Sequence, residues 1–127
     1  MATWDDVSNI ATALPETTRS DTRLREWAVA GKMFIWERPL RKSDLRALGD
    51  AAPDGPILGV RVADEGVKFA LIADDPGVFF TTPHFDGYSA ILVRLDQISV
   101  DDLQELLVEA WLLRAPKKVA KTYLGGS

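Results

Sequence analysis

The sequence predicts an α+β fold: a two-layer sandwich with an antiparallel sheet of about five strands, packed by an N-terminal and a C-terminal helix. Three observations carry this. Apolar residues recur at helical spacing near both ends, at Val7, Ile10, Ala11 and Leu14 and again at Leu103, Leu106, Leu107, Ala110 and Trp111. Between them, short β-favouring runs alternate with Gly-, Asp- and Pro-rich turn signals. The runs joined by short turns pair as hairpins, which makes their strands antiparallel.

The elements follow in order. Thr3 is a good N-cap for the first helix, with Asp5 and Asp6 in its first turn, where the helix dipole favours acids. Pro15 stops it, because proline disfavours the helical conformation in the residue before it. Glu16 to Asp21 is polar and reads as a loop. Leu24–Val29 and Met33–Arg38 read as a hairpin about Ala30-Gly31-Lys32, with Gly31 supplying the positive φ. Strict alternation puts Phe34 and Trp36 on one face and Met33, Ile35 and Glu37 on the other. Ser43 N-caps a short helix, Asp44–Leu48, which Gly49 closes. A turn-rich loop leads to Ile57–Val62 and Val67–Ile72, a second hairpin about Asp64-Glu65-Gly66. Alternation there puts Val67, Phe69 and Leu71 inward, Lys68 and Ala70 outward. Asp74-Asp75-Pro76 opens a short helical turn, which Gly77 and the β-favouring Phe79-Phe80-Thr81-Thr82 keep short. Asp-Gly at 86–87 marks a turn, and Ala90–Arg94 is the last strand. Ser99 caps the long final helix, with Asp101 and Asp102 in its first turn. Pro116 interrupts it, Lys117–Leu124 adds a helical turn or two, and Gly125-Gly126 frays.

The 127 residues read as a single domain, 1–127, long enough to bury a core without disulfides or metals. There is no cysteine, which excludes disulfides and thiolate chemistry. The N-terminus has no signal-peptide pattern, and no apolar run approaches the roughly 20 residues of a membrane span. The expectation is a cytoplasmic monomer without membrane contact. Net charge is −4, unevenly placed. All 19 acidic residues precede position 111, whereas Arg114, Lys117, Lys118 and Lys121 stand after it with no acid. An acidic body repels nucleic acid, while a basic tail attracts it locally. The same lysines also suit a helix C-terminus and solubility.

Chemistry-bearing residues are few. The only histidine, His84, lies in a Pro- and Gly-bounded loop with Asp86 and Tyr88. Such a histidine acts as a general base oriented by Asp86, or fixes the loop by hydrogen bonds. With no nucleophile motif beside it, no catalytic residue is assigned and no enzyme is expected. The paired acids Asp74-Asp75 and Asp101-Asp102 sit at predicted helix caps, and adjacent helical residues diverge by about 100°. No metal site and no cofactor is expected; phosphate-binding glycine motifs are absent. Trp27, Phe34 and Trp36 fall on neighbouring strands. They form a base-stacking row if exposed, and cross-strand core pairs if buried.

Four segments resemble the MmcQ/YjbR family of small bacterial proteins, whose fold is called CyaY-like. They are Ala13-Leu14-Pro15; Gly31-Lys32-Met33-Phe34; Phe80 to Tyr88 followed by Ala90 to Leu95; and Leu103 to Leu113 followed by Arg114-Ala115-Pro116-Lys117-Lys118. Their order and spacing span nearly the whole chain. The resemblance implies a compact α+β domain related to double-wing DNA-binding domains, and its members are labelled DNA-binding proteins by fold analogy. It supplies no catalytic residues. Two functions of different kinds follow. One is a non-enzymatic DNA-binding or regulatory domain, with weak, non-specific phosphate contacts from Arg114, Lys117, Lys118 and Lys121. The other is a protein- or small-ligand-binding module that uses the loop His84, Asp86 and Tyr88.

Overall fold

The computed structural model describes residues 1–125, so the reading of Gly126 lies outside the described residues. Helix α1 (Trp4–Thr12) starts where the sequence places it. Asp6 N donates to the Thr3 hydroxyl and Thr3 N donates to the Asp6 carboxylate at 2.9 Å, a reciprocal capping box. Strands β1 (Thr17–Ser20), β2 (Glu26–Val29), β3 (Lys32–Glu37), β4 (Ile57–Arg61), β5 (Phe79–Phe80) and β6 (Ala90–Arg94) form one antiparallel sheet in the order β1-β2-β3-β4-β6-β5. Helices α2 (Lys42–Leu48), α3 (Glu65–Asp74), α4 (Val100–Arg114) and α5 (Lys117–Tyr123) complete the chain.

The mixed α+β class and the antiparallel sheet packed by helices stand as expected. The predicted stripes are the core: Val7 and Ala11 of α1, and Leu103, Leu107, Ala110 and Trp111 of α4, pack with Leu58, Val60, Ile91 and Val93 on one sheet face. The other face is smaller. Ile57, Phe80, Phe85, Ala90 and Leu92 pack there beneath Trp36, Leu40 and Leu48, so α2 and the loop after β5 cover it. Trp36 lies directly over β4. A Cβ on Gly59 would sit 2.3 Å from its indole, so only glycine permits that approach.

Several expectations are overturned. Val67–Ile72 is not a strand but the body of α3. Asp64 is its N-cap, accepting from Val67 N at 2.9 Å, so Asp64-Glu65-Gly66 opens a helix instead of turning a hairpin. Burial is accordingly reversed: Lys68 is fully buried, while Val67 and Phe69 are exposed. Asp74-Asp75-Pro76 also ends α3, with Asp75 N bonded to Leu71 O, while the short turn expected there does form, Asp75 O accepting from Val78 N at 3.1 Å and Phe79 N at 3.0 Å. The expected loop at Glu16–Asp21 contains edge strand β1, whose residues face mostly water and so lack any apolar alternation. Phe79-Phe80 is a second short edge strand, with one ring in each core cluster. The sheet therefore has six strands.

Phe34 and Ile35 are both fully buried, because the β2–β3 register shifts by one between Trp27 and Ala28. That bulge cancels strict alternation in β3. Ser43 is not the cap of α2. Arg41 holds that position, and Asp44 reaches back to accept from Arg41 N at 2.8 Å. Ser99 does cap α4, accepting from Asp102 N.

Candidate functional site

The four basic residues singled out from the sequence gather at one end of the molecule. Arg114 ends α4 and is half-buried, its Nε donating to Met33 O at 3.3 Å beside the β2–β3 hairpin. Pro116 breaks the helix, and α5 restarts at once, with Ala120 N bonded to Pro116 O. Lys117 and Lys121, four residues apart, share one face of α5, and Lys118 lies beside them; all three are exposed. Val119 packs on the core, and Tyr123 meets Trp111 with ring centroids 4.9 Å apart, so α5 is anchored on its apolar side.

Arg61, at the end of β4, adds a cation that the sequence does not single out. Burial, then the nearby charge of Arg114, lowers its pKa below the ordinary arginine value. The pairing of β4 with β3 and β6 brings Arg61 to this end, and nothing in its sequence context signals it. Among the described residues the ion pairs are Arg19–Asp21, Arg25–Glu37 and Arg38–Asp44, so none neutralises the basic end.

The His84 loop is built differently. Pro83–Phe85 forms a 3-10 turn; Phe85 N bonds to Thr82 O and Tyr88 N to Phe85 O. His84 and Asp86 are exposed, and Tyr88 is 58% exposed. The His84 ring meets the edge of Phe85, centroids 5.0 Å apart. No hydrogen bond joins His84 to Asp86 or Tyr88. The loop brings the three residues to one surface without coupling them, so the acid–base arrangement considered from the sequence is not formed.

What holds this loop is Lys68. Its ammonium, buried under α3, donates to Phe85 O at 2.7 Å and Tyr88 O at 3.2 Å. From the other side, Phe85 lies under the guanidinium of Arg38, 5.2 Å from the ring centroid. Arg38 donates to Asp44 at 3.0 Å and also to Pro39 O. Burial opposes the charged form of Asp44, but the Arg41 N–H, the Arg38 guanidinium and the Thr82 hydroxyl outweigh it and hold its carboxyl below the usual carboxylate range. The Thr82 oxygen makes no hydrogen bond of good geometry. Sequence reasoning missed Lys68 and the burial of the Arg38–Asp44 pair. The available signal for Lys68 was Asp64 as an N-cap, which turns positions 68, 71 and 72 into one helical face.

The aromatic row is core: Trp27 and Phe34 are fully buried and Trp36 half-buried, which leaves no stacking platform. Trp27 stacks on Trp4 at 6.4 Å. Among the described residues no three His, Asp or Glu side chains converge as a metal site, and no helix is long and apolar enough to cross a membrane. A groove of about 1030 Å³ opens between α3 and α4, lined by residues of both helices.

Comparison with known proteins places this architecture. The structure is similar to the crystal structure of Deinococcus radiodurans protein DR2400, with a TM-score of 0.69 and 22% identity, covering 100% of this chain and 91% of that one. At that identity the likeness speaks for the fold. In sequence the chain is 58% identical over 130 residues to the uncharacterized proteins Rv2570 of Mycobacterium tuberculosis and Mb2600 of Mycobacterium bovis, covering 100% of this chain and 99% of each relative. A family model described as YjbR matches residues 12–113, from the end of α1 to the last turn of α4. The match spans the whole sheet, α2, α3 and nearly all of α4, and the chain therefore belongs to the MmcQ/YjbR family.

Proposed function

We propose that the protein is a non-enzymatic regulatory domain that associates with DNA through its basic end. The carrying observation is the grouping of Arg114, Lys117, Lys118 and Lys121, with three exposed lysines on an anchored helix and, among the described residues, no ion pair spent on them. Such a surface contacts phosphates and reads no bases, so binding is weak, salt-sensitive and poorly sequence-specific. The remainder of the chain is acidic overall, which disfavours contact elsewhere. In this reading residues 1–127 act as one monomeric, cytoplasmic, double-wing-related domain of the CyaY-like type.

Fluorescence anisotropy with a labelled duplex tests it. Affinity is expected to fall with salt, with a log–log slope no steeper than about −4, since each neutralised phosphate contributes about −0.9. The triple variant Lys117→Glu, Lys118→Glu, Lys121→Glu is expected to abolish binding. Absence of binding at low salt in the unaltered chain rules the reading out.

A second reading rests on the exposure of His84 and Tyr88 on a loop whose backbone is pinned from beneath. A pinned loop presents side chains at low entropic cost, which suits a protein or small-ligand contact. Loss of a partner on Tyr88→Ala, with DNA affinity unchanged, distinguishes it.

A further inference from the structure

The groove between α3 and α4 has apolar walls and an acidic rim. Val67 and Leu71 of α3 face Leu106 and Leu113 of α4 across it, all of them partly or largely exposed. Six carboxylates line it: Asp74, Asp75, Asp101, Asp102, Glu105 and Glu109. The one cation in the lining is Arg61. None of the six belongs to an ion pair among the described residues.

Asp101 and Asp102 have a local reason to be acidic, since they occupy the first turn of α4. The other four do not. Asp74 is the last residue of α3 and Asp75 its C-cap, where the helix dipole and free carbonyls oppose negative charge. Glu105 and Glu109 stand four apart on α4, both exposed, a like-charge pair that disfavours the helix. These acids work against local stability and all border one concave apolar surface, the pattern of a site retained for binding.

We infer that this groove docks a cationic amphipathic helix of a partner protein. Apolar side chains of that helix would enter between Leu71 and Leu106, and its Lys or Arg residues would meet the acidic rim. From Asp101 to Leu113 the α4 wall is about 18 Å long, room for roughly three helical turns. Charge complementarity excludes nucleic acid as the occupant. Among the described residues a second copy of this chain offers α2 and α5 as basic helices, but each has only seven residues, about 10 Å, short of the groove wall. The apolar side of α5 is also already spent, Val119 on the core and Tyr123 on Trp111. The groove adjoins the basic end at Arg61 but is lined by other side chains of α3 and α4, and the inference stands whether or not DNA binds at the basic end.

The test uses the full chain and a fluorescein-labelled, 18-residue Leu/Lys peptide with one apolar face, about that length being needed for a stable isolated helix. Its scrambled isomer, which lacks the face, is the control. The amphipathic peptide is expected to bind at least tenfold more tightly than the scrambled one. Glu105→Lys with Glu109→Lys is expected to weaken it at least tenfold; both positions are exposed, so the fold is retained. Asp74→Asn with Asp75→Asn is expected to weaken binding while leaving Tm unchanged or raised. Equal binding of the scrambled peptide overturns the inference, since bulk charge then accounts for it. A fall in Tm for the Asn pair also overturns it, by giving those acids a structural role. So does concentration-dependent self-association that the Lys pair abolishes, which assigns the groove to a second copy.

Discussion

Asp44 and Arg38 are buried together, with side chains 2% and 7% exposed, and their pairing is what α2 and the His84 loop share. Removing one member leaves the other charge buried without a partner, which typically costs 3–5 kcal/mol. Asp44→Asn is therefore expected to destabilise the chain by about 3 kcal/mol and to lower Tm by about 10 °C. The carboxyl of Asp44 is held below its ordinary pKa of 3.8 in the folded chain. Its contribution is present above that value and is lost as pH falls through the lower folded value. Urea titrations across pH 2–5 should show the wild type losing stability over this window and Asp44→Asn losing less. Lys68 is a second buried cation, and its partners are two carbonyls instead of a carboxylate. Lys68→Met keeps the apolar stem but removes both donors. It is expected to cost about 2 kcal/mol and to raise hydrogen exchange at residues 85–89 at least tenfold, while exchange in α4 changes less.

The elements that misled sequence reasoning are those whose surroundings differ from the usual half-buried case. Helix α3 has a six-residue stretch that alternates like a strand, and its inward face carries Lys68, so polarity pointed the wrong way. Strand β1 is an edge strand whose residues are mostly exposed, so nothing in Thr17–Ser20 had to be apolar. Helices α1 and α4 were legible because their caps and apolar stripes agree, each enforcing the same register. The β2–β3 hairpin was placed correctly, but it turns on both central residues: Ala30 at φ 48° and Gly31 at φ 83°. A two-residue turn of this type needs positive φ twice, and alanine resists it by roughly 1–2 kcal/mol. Ala30→Asn, better suited to that conformation, is expected to stabilise the chain by about 0.5–1 kcal/mol, raising Tm by a few degrees in a thermal melt.

At the scale of the whole molecule, charge is segregated around α4. The basic end lies at the tip of α4 and on α5, while the acidic groove runs along the side of α4 against α3. Acids and bases that alternate along a surface cancel within a Debye length of about 8–10 Å; segregated ones leave two fields of opposite sign. The tail was legible in the sequence because its four cations, Arg114, Lys117, Lys118 and Lys121, lie close together in the chain with no acid among them. Arg61 and the groove were not, since β4, α3 and α4 meet only in the fold. Consequently, at 200 mM salt the DNA affinity of the basic end and the peptide affinity of the groove are both expected to weaken. Each responds to its own lysine or glutamate variants, as paired anisotropy titrations would show.

By itself the sequence determined the α+β class, both terminal helices with their caps, the central hairpin strands and the basic tail. Each depends on residues within a few positions of one another, where spacing and capping chemistry act directly. Tertiary structure alone decided that residues 65–74 are a helix, that Lys68 points inward and that β3 carries a bulge. It alone decided, too, that six acids border one groove. Those outcomes depend on long-range packing, in which the burial of distant partners outweighs local preference.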